Sequence, residues 1–260
     1  MAFPESRRVI YDKNPLTEVI SQLRFPTVLA IEAELPAAFQ EKVRFDYPVF
    51  DDGSGVGPAE LVPQDIARLF GSSFGISAPK VYAFTTPDGV WKVNLNRDFV
   101  AVSCTRYEKW DLFRGRLLQV LEHLSAVYNP SYYTRIGLRY RNIIDREQLG
   151  LKDVAWSELL QPHLAGELAS GMADSVVQNQ HQLLVDLPNA EGRVRVVHGL
   201  ALQPPRPDHV YVIDNDFFIE GKVEKTDAAK KLDAFNKHSG GLFRSFIKDR
   251  LDRAMGPNPV

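Results

Sequence analysis

Cysteine is nearly missing from this chain. One residue, Cys104, serves 260 positions, so no intrachain disulfide can form and a disulfide-built secreted fold is excluded. Long apolar runs are missing too. No stretch reaches the roughly eighteen residues a spanning helix needs, and the opening Met1-Ala2-Phe3-Pro4-Glu5-Ser6-Arg7-Arg8 has no apolar signal-peptide core. These absences point to a cytoplasmic protein without a membrane partner. Charge of one sign is not in excess: 31 Lys+Arg against 33 Asp+Glu leaves −2. That balance removes any global attraction to nucleic acid or anionic lipid, so only a local patch could bind either.

Motifs of catalysis are equally scarce. There is no cysteine pair, no His-Glu-x-x-His and no clustered acidic loop, so the sequence offers no metal site. Neither Gly-x-Gly-x-x-Gly nor a Lys-containing phosphate loop occurs, and no cofactor is expected. Gly71-Ser72-Ser73-Phe74-Gly75 lacks the strand-then-helix setting of a nucleophile elbow. Cys104 sits in the apolar run 99–105, where burial raises a thiol's pKa and makes it inert. No catalytic residue is assigned, and the chain is expected not to be an enzyme.

What is present is an ordinary globular composition, 44% hydrophobic, and a strand-like segment that occurs twice. Glu18-Val19-Ile20-Ser21-Gln22-Leu23-Arg24-Phe25 can be laid over Arg135-Ile136-Gly137-Leu138-Arg139-Tyr140-Arg141-Asn142. In the first half, Pro26 closes a strand over about 17–25, a helix is predicted near 36–43, and the Gly/Pro-rich 51–58 reads as a surface loop. Strands at 81–85, 91–96 and 99–105 follow, joined by Thr86-Pro87-Asp88-Gly89 and Arg97-Asp98. Trp110, Phe113, Leu117, Leu121 and Leu124 recur at helical spacing.

The second half repeats the order. A strand at 133–144, a short helix at 156–164, strands at 178–186, 193–202 and 210–219, and a closing helix interrupted at Gly240-Gly241 are expected, with turns at 187–192 and 204–207. The reading is an α+β fold with an internally duplicated unit of strand, helix, three strands and helix. Repeats 1–130 and 131–260 pack as one continuous unit, because Asn129-Pro130-Ser131 is too short to let them separate. One large, mainly antiparallel sheet with helices on one face results. Its saddle-like layout resembles that of the TATA-binding protein, in architecture only.

The run Asn14-Pro15-Leu16-Thr17-Glu18-Val19-Ile20-Ser21-Gln22-Leu23-Arg24-Phe25-Pro26 resembles the signature opening of a family of uncharacterised, sporadically distributed bacterial proteins of about this length. The segment 135–142 is similar to that family's central strand motif, and the helix carrying Phe246, Ile247 and Leu251 sits where the family has its closing helix. The resemblance brings no catalytic residues. Its patchy distribution implies an accessory of a mobile defence or toxin-neutralising locus.

The candidate surface follows from strand alternation. Arg135, Arg139 and Arg141 fall on one side of a strand whose other side, Ile136, Leu138 and Tyr140, is apolar; Gln22 and Arg24 take the equivalent side of the duplicated strand. Arg193 and Arg195 share one side of a neighbouring strand. Arginine forks suit carboxylates and phosphates, so these seven residues are the candidate ligand-binding set of a non-enzymatic module for an unknown protein or small anionic ligand. The bland reading is a solvated face with arginines paired to Glu18 or Asp186.

Two alternatives stand beside it. One is an enzyme on a small polar substrate in a cleft between the repeats, using Asp214 and Asp216 or His181 and His198. Against it, the two aspartates read equally as a polar bulge or strand end, and the two histidines as hydrogen-bonded strand residues. The other is a nucleic-acid-binding saddle, for which Tyr82, Phe84, Trp91 and Phe99 offer a stacking platform that core packing explains more simply. The remaining histidines, at 123, 163, 209 and 238, are expected at the surface. Oligomeric state is left open.

Overall fold

The fold is α+β and built on one antiparallel sheet of nine strands, seen in a computed structural model that describes residues 3, 9–52, 80–202 and 209–259. In chain order the strands and helices are β1 (Val9–Tyr11), β2 (Leu16–Arg24), α1 (Leu29–Ala33), α2 (Ala37–Val43), β3 (Val49–Asp51), β4 (Tyr82–Thr85), β5 (Trp91–Asn96), β6 (Phe99–Cys104), α3 (Trp110–Val127), β7 (Tyr133–Ile144), α4 (Trp156–Leu159), α5 (Pro162–Ala165), β8 (His181–Asp186), β9 (Arg193–Leu202), β10 (His209–Val223), α6 (Ala228–Phe246), α7 (Asp249–Met255) and β11 (Pro257–Pro259). The large sheet runs β3-β4-β5-β6-β2-β7-β10-β9-β8, and β1 pairs separately with β11.

The two segments singled out as alike lie side by side at the centre. β2 pairs antiparallel with β7, Glu18 opposite Arg141 and Arg24 opposite Arg135. Outward from that pair the order is β6, β5, β4 on one side and β10, β9, β8 on the other, so each half contributes a strand, a three-strand meander and a following long helix in mirrored positions. Joining two incomplete sheets at β2 and β7 removes the edge each would otherwise expose.

Period-2 alternation divides the sheet into two faces. Val19, Leu23, Ile136, Leu138 and Phe217 point one way and are fully buried. Against that face lie the helices: Phe113 of α3 packs on Trp91, Phe235 of α6 on Phe217, Trp156 of α4 on Tyr211, and Phe39 of α2 on Phe84. The stripe foreseen on α3, Trp110, Phe113, Leu117, Leu121 and Leu124, is buried throughout. Polar contacts bridge the halves, with Trp110 Nε1 and Arg114 Nε donating to Asp233 Oδ1; within the second half Tyr140 Oη donates to Asn236 Oδ1.

Several boundaries differ from the sequence expectation. The closing helix is not interrupted at Gly240-Gly241: α6 runs through both glycines, and the break comes at Ile247, which forms a β-bridge with Leu160. Burial of Gly241 and Leu242 supplies packing that outweighs glycine's roughly 1 kcal/mol helix penalty. The short helix at 156–164 splits into α4 and α5 because Pro162 can begin a turn but not continue one. Pro36 caps α2 rather than entering it. Strand β10 extends to Val223, with its register shift between Glu220 and Val223. The loop expected at 53–58, the segment 71–75 and the turn at 204–207 lie outside the described residues.

Candidate functional site

On the face away from the helices, the sheet register sets polar residues in rows across the strands. One row is Ile20, Arg139, Asp216, Arg195 and Leu184; the next is Gln22, Gly137, Phe218, Arg193 and Asp186. All seven candidate residues, Gln22, Arg24, Arg135, Arg139, Arg141, Arg193 and Arg195, therefore belong to one surface spanning β2, β7, β10 and β9.

The same surface carries its own counter-charges. Asp214 and Asp216 occupy a continuous part of β10, not a bulge or strand end, and both face the arginines of β7. Arg139 grips Asp214 in a two-pronged contact, Nε donating to Oδ1 at 2.7 Å and Nη2 to Oδ2. Arg135 Nη2 donates to both oxygens of Asp216, at 2.8 and 3.1 Å. These side chains are only 13–28% accessible, so the pairs are shielded from bulk water and salt. Burial pushes the Asp216 carboxyl above the usual carboxylate range, against the pull of Arg135, Arg139 and Arg195. Burial pulls the Arg139 guanidinium down, but its hydrogen bond to Asp214 and the charges of Asp214, Asp216 and Glu18 outweigh that, and its proton is held more tightly than usual.

Two residues outside the candidate set shape this lattice. Phe218 is buried and lies between two guanidinium groups, Arg135 at 5.0 Å and Arg195 at 5.7 Å from its ring centroid, within cation–π range. Gly137 leaves the floor over which Arg135 folds to reach Asp216: a Cβ there would stand 2.3 Å from Arg135 Nη1. Period-2 spacing places Phe218 on the arginine side in the sequence, but only the register shows it between the arginines.

Three arginines keep capacity for a partner. Arg141 is exposed, and no hydrogen bond or ion pair engages its guanidinium among the described residues. Glu18, although opposite it, makes no ion pair with it among those residues. Arg24 donates from Nε to Gln22 Oε1 at 3.3 Å, and Arg195 is engaged by the Phe218 ring. Arg193 pairs with Asp186 at 3.0 Å on an exposed part of the surface, where such a contact is weak.

The groups suggested for catalysis do not converge. His181 and His198 meet across β8 and β9 with ring centroids 5.3 Å apart, but His198 is buried on the helix side, whereas Asp214 faces the arginines. His198 Nδ1 stands 2.7 Å from Tyr211 Oη, which donates to the Leu164 carbonyl at 2.9 Å. Tyr211 therefore accepts from an Nδ1–H tautomer. Burial and the charges of His181 and His163 bring His198 down to about 4. His181 Nε2 lies 3.1 Å from Glu167. No group of three metal-ligating side chains occurs among the described residues. Recesses lined by Lys13, Asn14 and Ile143 and by Ile31, Lys80 and Asn96 include neither pair.

Core packing, the simpler reading of the first-meander aromatics, holds for three of the four. Tyr82, Phe84 and Trp91 point to the helix side and are buried in the core, as the register with Leu95, Val93 and Cys104 requires; Phe99 faces the other way and is itself 8% accessible. Cys104 is fully buried and desolvation raises its thiol pKa. His238 is not a free surface residue: its Nε2 lies 2.7 Å from Glu191. No helix among the described residues is long and apolar enough to cross a membrane. Comparison of the chain with models of known families finds no match, and comparison with curated proteins finds none either.

Proposed function

We propose that the helix-free face of the central sheet is a non-enzymatic binding surface for an acidic segment of another protein. The observation that carries this reading is the placement of Arg24 and Arg141. They sit at opposite ends of the β2–β7 pair, opposite Arg135 and Glu18 respectively, six residues apart along β2. At ~3.3 Å per residue that is about 20 Å, more than a single phosphate or small carboxylate can span. Between them the Arg139–Asp214 and Arg135–Asp216 pairs hold a rigid, nearly neutral floor. A mixed floor flanked by Arg141, whose guanidinium no hydrogen bond or ion pair engages among the described residues, and by Arg24, held there only by Gln22, suits a segment with spaced carboxylates better than a uniformly charged backbone, and the net charge of −2 gives nucleic acid no long-range attraction. The family resemblance adds a setting, a cytoplasmic accessory of a mobile defence or toxin-neutralising locus.

A fluorescein-labelled oligoglutamate peptide tests the reading by anisotropy at low and moderate salt. Binding that weakens at least tenfold in the Arg24→Ala/Arg141→Ala variant, and that inorganic phosphate does not displace, is expected. Failure of the wild type to bind at low salt, or an unchanged affinity in the variant, refutes it. A single-stranded oligonucleotide bound more tightly than the peptide would favour the saddle alternative instead.

A further inference from the structure

Strand β8 ends the sheet, with β9 its sole strand partner among the described residues. Soluble proteins usually blunt such an edge with charge, proline, bulges or brevity. β8 instead runs six residues without a register shift and exposes Leu183 at 42% and Leu184 at 55%, one on each face. The direction of its backbone groups follows from the ends of its ladder. Asn179 N–H donates to the Leu200 carbonyl and Leu187 N–H to the Gly192 carbonyl, both in the register that sets His181 opposite His198. Bonded pairs recur at every second residue of an antiparallel ladder. Residues 181, 183 and 185 therefore bond inward to β9, and the N–H and C=O groups of Gln182, Leu184 and Asp186 point out to the open edge.

We propose that this edge pairs with the same edge of a second copy of the chain, β8 antiparallel to β8, about a dyad normal to the sheet at Leu184. The outward groups of 182, 184 and 186 then meet their own equivalents in bonding register. Leu184 packs on Leu184 of the partner subunit, Leu183 on Val185 of the partner subunit, and the Gln182 amide donates to the carboxylate of Asp186 of the partner subunit. Every pair is apolar on apolar or donor on anion. Moving the dyad to 183 sets Leu184 against Gln182, and moving it to 186 sets Asp186 against itself. The second copy is chosen over an unrelated peptide because residues 182–186 complement themselves in backbone bonds, apolar contacts and the Gln182–Asp186 hydrogen bond. The contact is isologous and closes at two copies, and it leaves both arginine faces on one side of the joined sheets. A seam this short buries less than a standard interface, so association is weak and concentration-dependent.

Sedimentation velocity on the full chain from about 1 to about 200 µM brackets the affinity of such a seam. A rise from one chain mass to two is expected, lost in Leu184→Lys and in Leu184→Pro. The proline removes an N–H that the β8–β9 ladder does not use, so the monomer should keep its far-ultraviolet circular dichroism. Register is read by oxidation, since the native Cys104 is buried: Leu184→Cys should cross-link to itself and Leu183→Cys should not. A wild type monomeric across the range overturns the proposal, as does a dimer that survives both substitutions or cross-links through Leu183→Cys instead.

Discussion

At the scale of single residues, the Arg139–Asp214 pair shows why charge on this face is structural as well as available. Two charges shielded to this degree lose hydration that only their mutual contact restores, so removing one strands the other. Arg139→Ala and Asp214→Ala are each expected to cost roughly 2–3 kcal/mol. The double variant should cost less than the sum, with a coupling of about 1–3 kcal/mol in urea denaturation. Additive losses would show that the pair is not coupled. His198 carries a second residue-scale prediction. Its folded value is depressed from 6.5 to about 4, so it favours folding fully above the unfolded value, and that contribution falls away as pH drops from 6.5 through 4. Between pH 7 and pH 5 the loss is about 2 kcal/mol by linkage. A His198→Gln variant, which cannot titrate, should flatten this slope; an unchanged slope would assign it to other groups.

At the scale of elements, the β8–β9 hairpin depends on one glycine. Gly192 has φ +133° and a Cβ there would lie 2.3 Å from the Phe218 carbonyl oxygen of β10, with Phe235 of α6 close behind. Neither a backbone carbonyl nor a buried ring can move aside cheaply. Gly192→Ala should therefore lower the thermal midpoint by several degrees, since a destabilisation of about 2 kcal/mol shifts a chain of this size by ~4–8 °C. Gly137→Ala differs, because the obstructing atom is the mobile end of Arg135. Its cost comes instead from releasing Arg135 from the shielded Asp216, so Gly137→Ala should lose stability in the wild-type background and be nearly neutral in Asp216→Asn. A loss that persists undiminished in Asp216→Asn would refute that distinction. The Gly240-Gly241 pair teaches the converse: glycines that predict a helix break are carried through when packing holds the turn around them.

At the scale of the whole molecule, the halves share their central strand pair and a core that runs across it from α3 and α2 to α6. Opening one half would expose the edge and the buried face of the other. Thermal unfolding should accordingly be a single transition, with tryptophan fluorescence, reporting Trp91 and Trp110 in the first half and Trp156 in the second, coinciding with far-ultraviolet circular dichroism. Two separated transitions would show that the halves are independent units.

The sequence by itself determined the main strands of both halves, though not β1, β3, α1 or β11, and the arginine side of β2, β7 and β9, because alternation of Arg135, Arg139 and Arg141 with Ile136, Leu138 and Tyr140 is a local property of an extended chain with one face buried. It also determined the inert setting of Cys104 and the buried stripe of α3. Tertiary structure alone decided which charges meet. Asp214 and Asp216 lie more than seventy residues from their arginines, and a slip of β10 by one residue would turn both to the core. That register is set by the packing of Phe217 on Phe235 and of Tyr211 on Trp156, contacts between elements that no local pattern encodes.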